Sequence, residues 1–242
     1  MMEGSISVAG RGILLVAAHP KEVAAVVRGL GGEPADLAPG PAAWALCCAR
    51  AGFDVVRSGV GKANAAGCLA RTLDPARHHL VLNVGVAGVL PGVHGVGVGG
   101  VVLGSESVFA DEGLARENGF EDLAAMGLGE PALAGAGVRF PAEPCTLDRL
   151  RPLAHVVAPI ACVSTCSGTD ALAGEVAQRT GAIAEAMEGA ACALVAARLG
   201  VPFAELRVIS NTTGDRARQA WDLAGALRVL EGVIGRLAAL TG

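Results

Sequence analysis

The sequence contains no tyrosine, and it has only five phenylalanines and two tryptophans among 242 residues. Its core must therefore be aliphatic, and the hydrophobic share of 52% supplies the side chains for one. A chain of this length can bury most of the apolar surface that its unfolded form exposes. We therefore expect a single domain over residues 1–242.

Clusters of basic residues are also missing. No run of Lys or Arg exceeds two residues, and the formal net charge is -4. Binding to a phosphate backbone requires a concentrated basic face. The composition therefore excludes nucleic acid as a partner.

Paired cysteine motifs are absent, although seven cysteines are present. An odd count without any CxxC pair is typical of reduced, mostly buried thiols in a cytoplasmic protein. Cys162 and Cys166 could be combined with His155 as metal ligands, but zinc ligands normally occur in tighter pairs. We therefore expect no metal.

Long apolar stretches are lacking as well, and none could span a membrane. Residues 12–18 form a short apolar run with no cleavage site of small residues, so they predict a first strand rather than a signal peptide. We expect a protein without membrane contacts, with the cytoplasm as its default location.

Short runs rich in Val, Ile and Leu alternate with Ala-rich segments of helical character. Strands are predicted over residues 13–18, 55–58, 80–84, 98–103, 160–164 and 203–209. Helices are predicted over residues 21–29, 64–73, 171–179, 189–199 and 221–240. The strands show little polar alternation, as strands covered on both faces do. This order predicts an α/β sheet with helices on both sides, and residues 110–144 are expected to form loops and short helices.

Two glycine-rich segments resemble nucleotide-binding loops without satisfying their chemistry. In the first, from Gly59 to Asn64, Ala63 replaces the Ser or Thr of a phosphate loop, and Asn64 replaces the third glycine of a dinucleotide fingerprint. The second, from Gly95 to Gly100, is followed by a strand, so no helix N-terminus is available for a pyrophosphate. We expect neither segment to bind a cofactor.

Four polar clusters stand at the ends of predicted strands, where sheet enzymes build their sites. The first covers residues 19–22 and includes Glu22. The second covers residues 83–88, where a strand end opens into a glycine turn. The third covers residues 187–189 at a strand-to-helix junction, and the fourth covers residues 210–216 after the last strongly apolar strand. Each has a structural alternative. Glu22 and Glu188 could be acids in a first helical turn, Asn211 a turn residue or cap, and Asp215 with Arg216 a surface ion pair.

Together these clusters carry a family resemblance. The segments are residues 58–62, 83–88, 108–113, 185–188 and 207–216. With them the sequence resembles the superfamily of purine nucleoside and uridine phosphorylases, in the branch of the methylthioadenosine/S-adenosylhomocysteine nucleosidases. The Phe-Ala-Asp-Glu-Gly stretch after Val108 points to the futalosine hydrolases of menaquinone biosynthesis. The resemblance implies a central mixed, twisted β-sheet flanked by helices, a homo-oligomer, and cleavage of an N-glycosidic bond without a cofactor.

The resemblance also implies roles for individual residues. Glu22 would be the general base that deprotonates a water molecule, and Glu188 would accept hydrogen bonds from the ribose 2′- and 3′-hydroxyls, with Met187 packed against the sugar. Both carboxylates must be ionised to do so. Asn211 stands where adenine-releasing relatives carry Asp, so a 6-oxopurine such as hypoxanthine is the expected leaving base. Asp215 would help as the acid, or would pair with Arg216 and shape the loop.

Further residues are placed around the substrate by the same resemblance. Phe109 and residues 165–170, which include Thr165 and Gly168, would line the base or the substrate's aromatic tail. Val86 replaces a hydroxyl residue of the phosphorylases, and Lys21 is the only cation expected near Glu22. An acid with few cations suits water better than phosphate, which favours a hydrolase.

Four alternatives remain open at this point. The first is an adenine-releasing nucleosidase that acts on methylthioadenosine, S-adenosylhomocysteine or aminodeoxyfutalosine. The second is a phosphorylase, which would need phosphate for turnover. The third is a catalytically silent nucleoside-binding protein with the same fold, and the last is an α/β domain of unrelated function.

Overall fold

A computed structural model describes residues 12–34, 44–50, 52–92, 95–117 and 119–241. The strands are β1 (Gly12–Ala17), β2 (Ala45–Arg50), β3 (Phe53–Arg57), β4 (His78–Val89), β5 (Val101–Phe109), β6 (Gly113–Arg116), β7 (Gly119–Asp122), β8 (Arg139–Pro141), β9 (Val156–Cys162), β10 (Ala184–Ala186) and β11 (Phe203–Thr212). The α-helices are α1 (Pro20–Gly29), α2 (Lys62–Thr72), α3 (Pro144–Leu150), α4 (Asp170–Thr180), α5 (Gly189–Arg198) and α6 (Leu223–Thr241). Short 3-10 helices cover Ala134–Gly137 and Arg151–Leu153.

The central sheet is mixed and partly closed on itself. Its strands follow the order β10-β9-β5-β11-β4-β1-β3-β2, with β8 paired to β5. β1 is parallel to β3 and β4, and β4 is parallel to β11, whereas β5 runs antiparallel to β11. The far end of β4 also pairs with β10, which closes β4, β11, β5, β9 and β10 into a ring. The parallel strands bring their carboxyl ends to one edge of the sheet.

Helices cover both faces of this sheet, and each face has an aliphatic core. On one face α1 and α6 pack together over residues such as Leu15, Leu206 and Ile234. On the other face α2 and α5 pack over residues such as Leu14 and Leu69. Since the strands contact helices on both sides, their sequences show little polar alternation.

Local capping explains where the first helix starts. His19 is the N-cap of α1, its side chain accepts from the Lys21 N–H, and Pro20 occupies the first turn. The Glu22 side chain returns to accept the His19 N–H, which completes a capping box. The helix therefore begins directly after β1 and fixes Glu22 at the edge where β1 ends.

Every predicted strand and helix overlaps an observed one, with ends shifted by up to six residues, but three expectations about local structure were wrong. Residues 83–88 are not a turn, because β4 continues to Val89 and pairs with β10 and β11 there. Residues 110–144 contain the β6–β7 hairpin and β8 in addition to loops. The strand β11 extends through Asn211 to Thr212, so the fourth polar cluster begins inside a strand rather than after it. No helix in the described part of the chain is long and apolar enough to cross a membrane.

Candidate active site

Glu22 is a buried carboxylate held in place by two backbone N–H groups. Its Oε2 accepts from the His19 N–H at 2.8 Å, and its Oε1 accepts from the Val86 N–H at 2.8 Å. Glu22 is only 6% exposed. Val86, which the sequence placed at the substrate, therefore contacts the proposed base through its backbone. Glu22 therefore caps the first helical turn, as its structural alternative predicted, and also stands at the strand ends; its role as a base stays a prediction.

Glu188 lies at the junction between β10 and α5, as its sequence position predicted. Its Oε1 accepts from the Gly61 N–H at 3.0 Å, and its Oε2 is 3.3 Å from Nη2 of Arg207. It is 4% exposed and does not cap α5 with its side chain. The turn at Gly61 therefore serves a carboxylate of the chain itself rather than a phosphate.

Arg207 on β11 connects the carboxylates of the site. Its Nε donates to Glu205 Oε1 at 2.8 Å, and its Nη2 donates to Asn83 Oδ1 and faces Glu188. A methyl carbon placed on Gly85 would lie 2.7 Å from Arg207 Nη1 and 2.5 Å from Glu22 Oε1. The space above Gly85 is thus filled by the Glu22 carboxylate and the guanidinium together.

Burial governs the ionisation of these groups. It raises the pKa of Glu22, which the Arg207 guanidinium lowers and the Glu188 carboxylate raises, with a net increase. The pKa of Glu205 is also raised by burial, against the opposing effect of Arg207. The pKa of Arg207 rises because Glu205, Glu188 and Glu22 outweigh its own desolvation, so the guanidinium stays charged. A base with a raised pKa suits proton abstraction near neutral pH.

The expectation that Lys21 is the only cation near Glu22 was wrong. Arg207 shares the space above Gly85 with Glu22, and its position inside an apolar strand concealed this in the sequence. Its charge is matched by Glu205 and Glu188, in keeping with the carboxylate partner that a buried arginine needs.

Beside this network lies a mostly apolar cavity of about 560 Å³. Met187, Phe109 and Leu194 contribute its apolar walls, and Gly61 and Lys62 close one side. Phe109 is buried and packs edge-on against Phe140, with ring centroids 5.9 Å apart. The cavity brings two of the predicted substrate contacts, Met187 and Phe109, next to the turn that holds Glu188.

Lys62 is tied to this wall of the cavity by acids. Its Nζ pairs with Asp111 and, at 3.3 Å, with Glu112, and it lies 5.0 Å from the centre of the Phe109 ring. Asp111 also accepts from the Ser164 N–H at 2.6 Å. The acids after Phe109 therefore join α2 to the loop that follows β9.

Asn211 lies at the end of β11, where its amide is oriented by its neighbours. Its Nδ2 donates to the Thr212 carbonyl at 2.9 Å, and its Oδ1 accepts from the Ser210 hydroxyl at 2.8 Å. An amide turned the other way would place Oδ1 against the Thr212 carbonyl, so the NH₂ orientation is fixed. One hydrogen of that NH₂ group remains for an acceptor outside these two contacts.

Thr165 and Gly168 lie in the loop between β9 and α4, and they are not part of the cavity wall. Glu185 on β10 holds this loop by accepting from the Ser167 N–H at 2.8 Å and from its hydroxyl at 2.6 Å. The Gly168 carbonyl accepts from the Arg216 N–H at 3.2 Å. Both residues are exposed, and they border the loop after β11.

Asp215 belongs to a surface cluster, and the predicted pair with Arg216 is wrong. Its Oδ2 accepts from Arg218 Nε at 3.1 Å, and its N–H donates to Asp170 Oδ1 at 2.8 Å. Arg216 instead stacks over the Trp221 ring at 4.6 Å. The contacts of Asp215 favour loop shaping over acid catalysis.

The remaining motifs behave as structural features. The turn up to Gly100 leads directly into β5, as predicted. His155 Nδ1 accepts from the Val101 N–H at 3.0 Å. In the described part of the chain, no three His, Cys, Asp or Glu side chains come together in a way that could hold a metal ion.

Sequence reasoning missed Glu205 and Ser107. Glu205 Oε1 accepts from Arg207, and the Ser107 hydroxyl donates to its other oxygen. One signal was present, because an acid two residues before an arginine in a strand puts both side chains on the same face. Nothing in the sequence indicated that β5 would bring Ser107 to that face.

Comparison with known proteins extends over almost the whole chain. The family model described as the phosphorylase superfamily matches residues 13–241. Futalosine hydrolase from Acidothermus cellulolyticus is 37% identical over 233 residues, which cover 93% of this chain and 90% of that protein. Futalosine hydrolase from Thermus thermophilus is 38% identical over 192 residues, with coverages of 79% and 83%.

Solved structures share the fold at low sequence identity. A futalosine hydrolase mutant from Helicobacter pylori has a TM-score of 0.70 at 17% identity, covering 96% of this chain and 98% of its own. A 5′-methylthioadenosine/S-adenosylhomocysteine nucleosidase from the same organism has a TM-score of 0.69 at 18% identity, covering 95% of each chain. The mixed sheet with helices on both faces is therefore the fold of these proteins.

Proposed function

The chain belongs to the phosphorylase superfamily and, within it, to the family of the futalosine hydrolases, and from this we propose that it hydrolyses the N-glycosidic bond of futalosine and releases hypoxanthine. The observation that carries the proposal is the pair of buried carboxylates, Glu22 and Glu188, joined through Arg207 beside an apolar cavity. Two carboxylates that are only 6% and 4% exposed suit a reaction that develops positive charge on a sugar.

In the proposed reaction Glu22 accepts a proton from water, whose oxygen forms a bond to the sugar C1′. The bond from C1′ to the purine nitrogen breaks, and its electron pair leaves with the base, which takes up a proton from solvent to become hypoxanthine while Glu22 returns its proton to solvent. Glu188 accepts hydrogen bonds from the ribose hydroxyls with the lone pairs that Gly61 and Arg207 leave open. The excess of negative charge in the network stabilises the cationic sugar in the transition state.

Water is favoured over phosphate as the nucleophile because the cations beside the site are already paired. Arg207 is bound by Glu205 and Glu188, and Lys62 is bound by Asp111 and Glu112. A phosphate dianion would have to compete with these carboxylates for each cation. A neutral water molecule needs no cation and therefore does not compete with these carboxylates.

Asn211 supports a 6-oxopurine as the leaving base. The Thr212 carbonyl fixes the NH₂ group as the donor, and its remaining hydrogen suits an acceptor such as the purine N7 or a 6-oxo group. A 6-amino group would instead present a donor to a donor. A mismatched polar pair in a closed pocket can lower kcat/KM for the wrong base by several powers of ten relative to the matching base.

We place this reaction in menaquinone biosynthesis, in a cytoplasmic homo-oligomer. All seven cysteines are free thiols, which fits a reducing compartment. The futalosine hydrolase names of the relatives support the pathway. Sedimentation of the purified protein tests the assembly.

The proposal is tested by incubating purified protein with futalosine, inosine and methylthioadenosine, with and without phosphate, and quantifying the released bases by chromatography. Hypoxanthine from futalosine without phosphate is the expected result. Glu22→Gln is expected to lower this rate by about 10²- to 10⁴-fold, the usual contribution of a general base.

A matched control is Glu231→Gln on α6. Glu231 forms an exposed ion pair with Arg28 of α1 at 2.7 Å, so the variant perturbs the same helix as Glu22 away from the site. Its rate should equal that of the unaltered protein. Base release that requires phosphate would indicate a phosphorylase. Adenine release from methylthioadenosine would contradict the role given to Asn211. If none of the three substrates releases a base, the assignment as a nucleosidase is refuted.

A further inference from the structure

Glu205 is a fully buried acid that the proposed reaction does not use directly. It lies in β11 with 1% of its surface exposed. Its Oε1 accepts from Arg207 Nε at 2.8 Å, and its other oxygen accepts from the Ser107 hydroxyl. A methyl carbon on Gly189 would lie 2.0 Å from Glu205 Oε2, so α5 can begin over this carboxylate only with a glycine. The surroundings hold Glu205 on three sides.

The contact with Nε determines how the guanidinium of Arg207 is oriented. The guanidinium is a planar group with donors in a fixed fork. With Nε directed at Glu205, Nη2 reaches Glu188 and Asn83, and Nη1 faces the space above Gly85 that Glu22 also occupies. Rotation of the plane would break these contacts together.

We propose that Glu205 is a positioning residue of this site, which fixes the guanidinium plane of Arg207 and thereby the placement and charge balance of Glu22 and Glu188. This inference rests on the proposed hydrolase function. Glu205 itself touches neither water nor substrate in this scheme, and its effect passes through Arg207.

The charge balance gives the proposal a signature that a purely structural role lacks. Among the described residues, Arg207 on β11 and Glu188 before α5 are the charged groups that act on Glu22, and Glu205 acts on Arg207. The nearby thiols of Cys162 and Cys192 are neutral, since burial raises the pKa of Cys162 to about 12 and also that of Cys192. If Glu205 is replaced by a neutral residue, it no longer offsets the positive charge of Arg207, which then acts more strongly on Glu22 and Glu188. The pKa of Glu22 should then decrease.

The test compares Glu205→Gln with the unaltered protein in hypoxanthine release from futalosine, measured from pH 4 to pH 9. Gln keeps the size and one acceptor oxygen but removes the charge. We expect kcat to fall about 10- to 100-fold, as for a misplacement of up to 1 Å, with KM changed less than about threefold. The acidic limb of the pH profile, over which kcat/KM falls as the pH decreases, should shift to lower pH by about half a unit or more.

Asp54→Asn is the matched control, because Asp54 is also a buried strand carboxylate paired with an arginine, Arg77, and with His78. It should lower the melting temperature without altering kcat or the acidic limb. If Glu205→Gln shows the kcat and the limb of the unaltered protein, or if Asp54→Asn reproduces its changes, the inference is overturned.

Ser107→Ala carries the test if Glu205→Gln does not fold. It removes one hydrogen bond of Glu205 and leaves the charge in place, so kcat should fall about 3- to 10-fold with an unmoved limb. An unchanged kcat would contradict positioning by Glu205. If the unaltered protein releases no hypoxanthine, the proposed function is overturned and this inference with it. If the unaltered protein releases hypoxanthine and the variants release it at the same rate, the inference alone is overturned.

Discussion

Replacement of Gly85 by alanine should disable the site by displacing Glu22 and Arg207. Gly85 lies in β4, and its φ is not in the left-handed region, so the backbone can accept alanine. The added methyl carbon would stand 2.5 Å from Glu22 Oε1, 2.7 Å from Arg207 Nη1 and 3.1 Å from the Glu22 carboxyl carbon. The clash falls on the proposed base and on the group that orients it.

The size of the effect follows from the displacement required. Separations below 3.0 Å are essentially never found for a Cβ atom, so the Glu22 oxygen must move at least 0.5 Å, from 2.5 to 3.0 Å. It cannot move freely, because Glu22 is bound to the Val86 and His19 N–H groups. Catalytic groups tolerate about 0.5 Å of misplacement, and 1 Å costs about 10²-fold. We therefore expect kcat/KM to fall about 10- to 100-fold, or about 1.4–2.7 kcal/mol in the activation free energy.

The assay is steady-state release of hypoxanthine from futalosine, with melting temperature measured in parallel. Gly97→Ala is the control, since no atom lies within 4 Å of a methyl carbon at that position, and it should retain full activity. A folded Gly85→Ala protein with unaltered kcat/KM would refute the idea that Glu22 and Arg207 must share this space for catalysis.

Two further predictions concern ionisation and base selectivity. Because burial raises the pKa of Glu22 and the base must be ionised, kcat/KM should fall as the pH decreases through a value above the ordinary glutamate pKa of about 4.3; a profile that stays flat down to that value would contradict the assignment of Glu22. Asn211→Asp should place a carboxyl oxygen against the Thr212 carbonyl, which favours the protonated acid and a 6-aminopurine. The ratio of adenine release from methylthioadenosine to hypoxanthine release from futalosine should then rise about 10²-fold, and an unchanged ratio would show that base selection lies elsewhere.

The alternation of strands and helices could be predicted from the sequence because it depends on near neighbours. Apolar runs without polar alternation indicated strands covered on both faces, and β1, β3, β9 and β11 occupy those positions. Stop signals such as Gly200 after α5 are equally local. The predictions failed where pairing is distant. Residues 83–88 have the composition of a turn, yet they form strand because β10 and β11 lie alongside.

In the candidate site, too, some features depend on neighbours in the sequence and others on contacts between distant elements. The sequence by itself determined that Glu22 would follow β1 and that Met187 and Glu188 would precede α5, since each position depends on chain order. Only the tertiary structure decided that Arg207, held by Glu205, meets Glu188, and that Asp215 pairs with Arg218 instead of Arg216. Arg207 and Glu188 come from distant elements, so no sequence spacing encodes their contact. The pairing of Asp215 with Arg218 depends on Asp170, which contacts both residues from the start of α4. The order of the chain therefore fixed which groups stand at the sheet edge, and the packing of β5, β11 and α5 decided how their charges are shared.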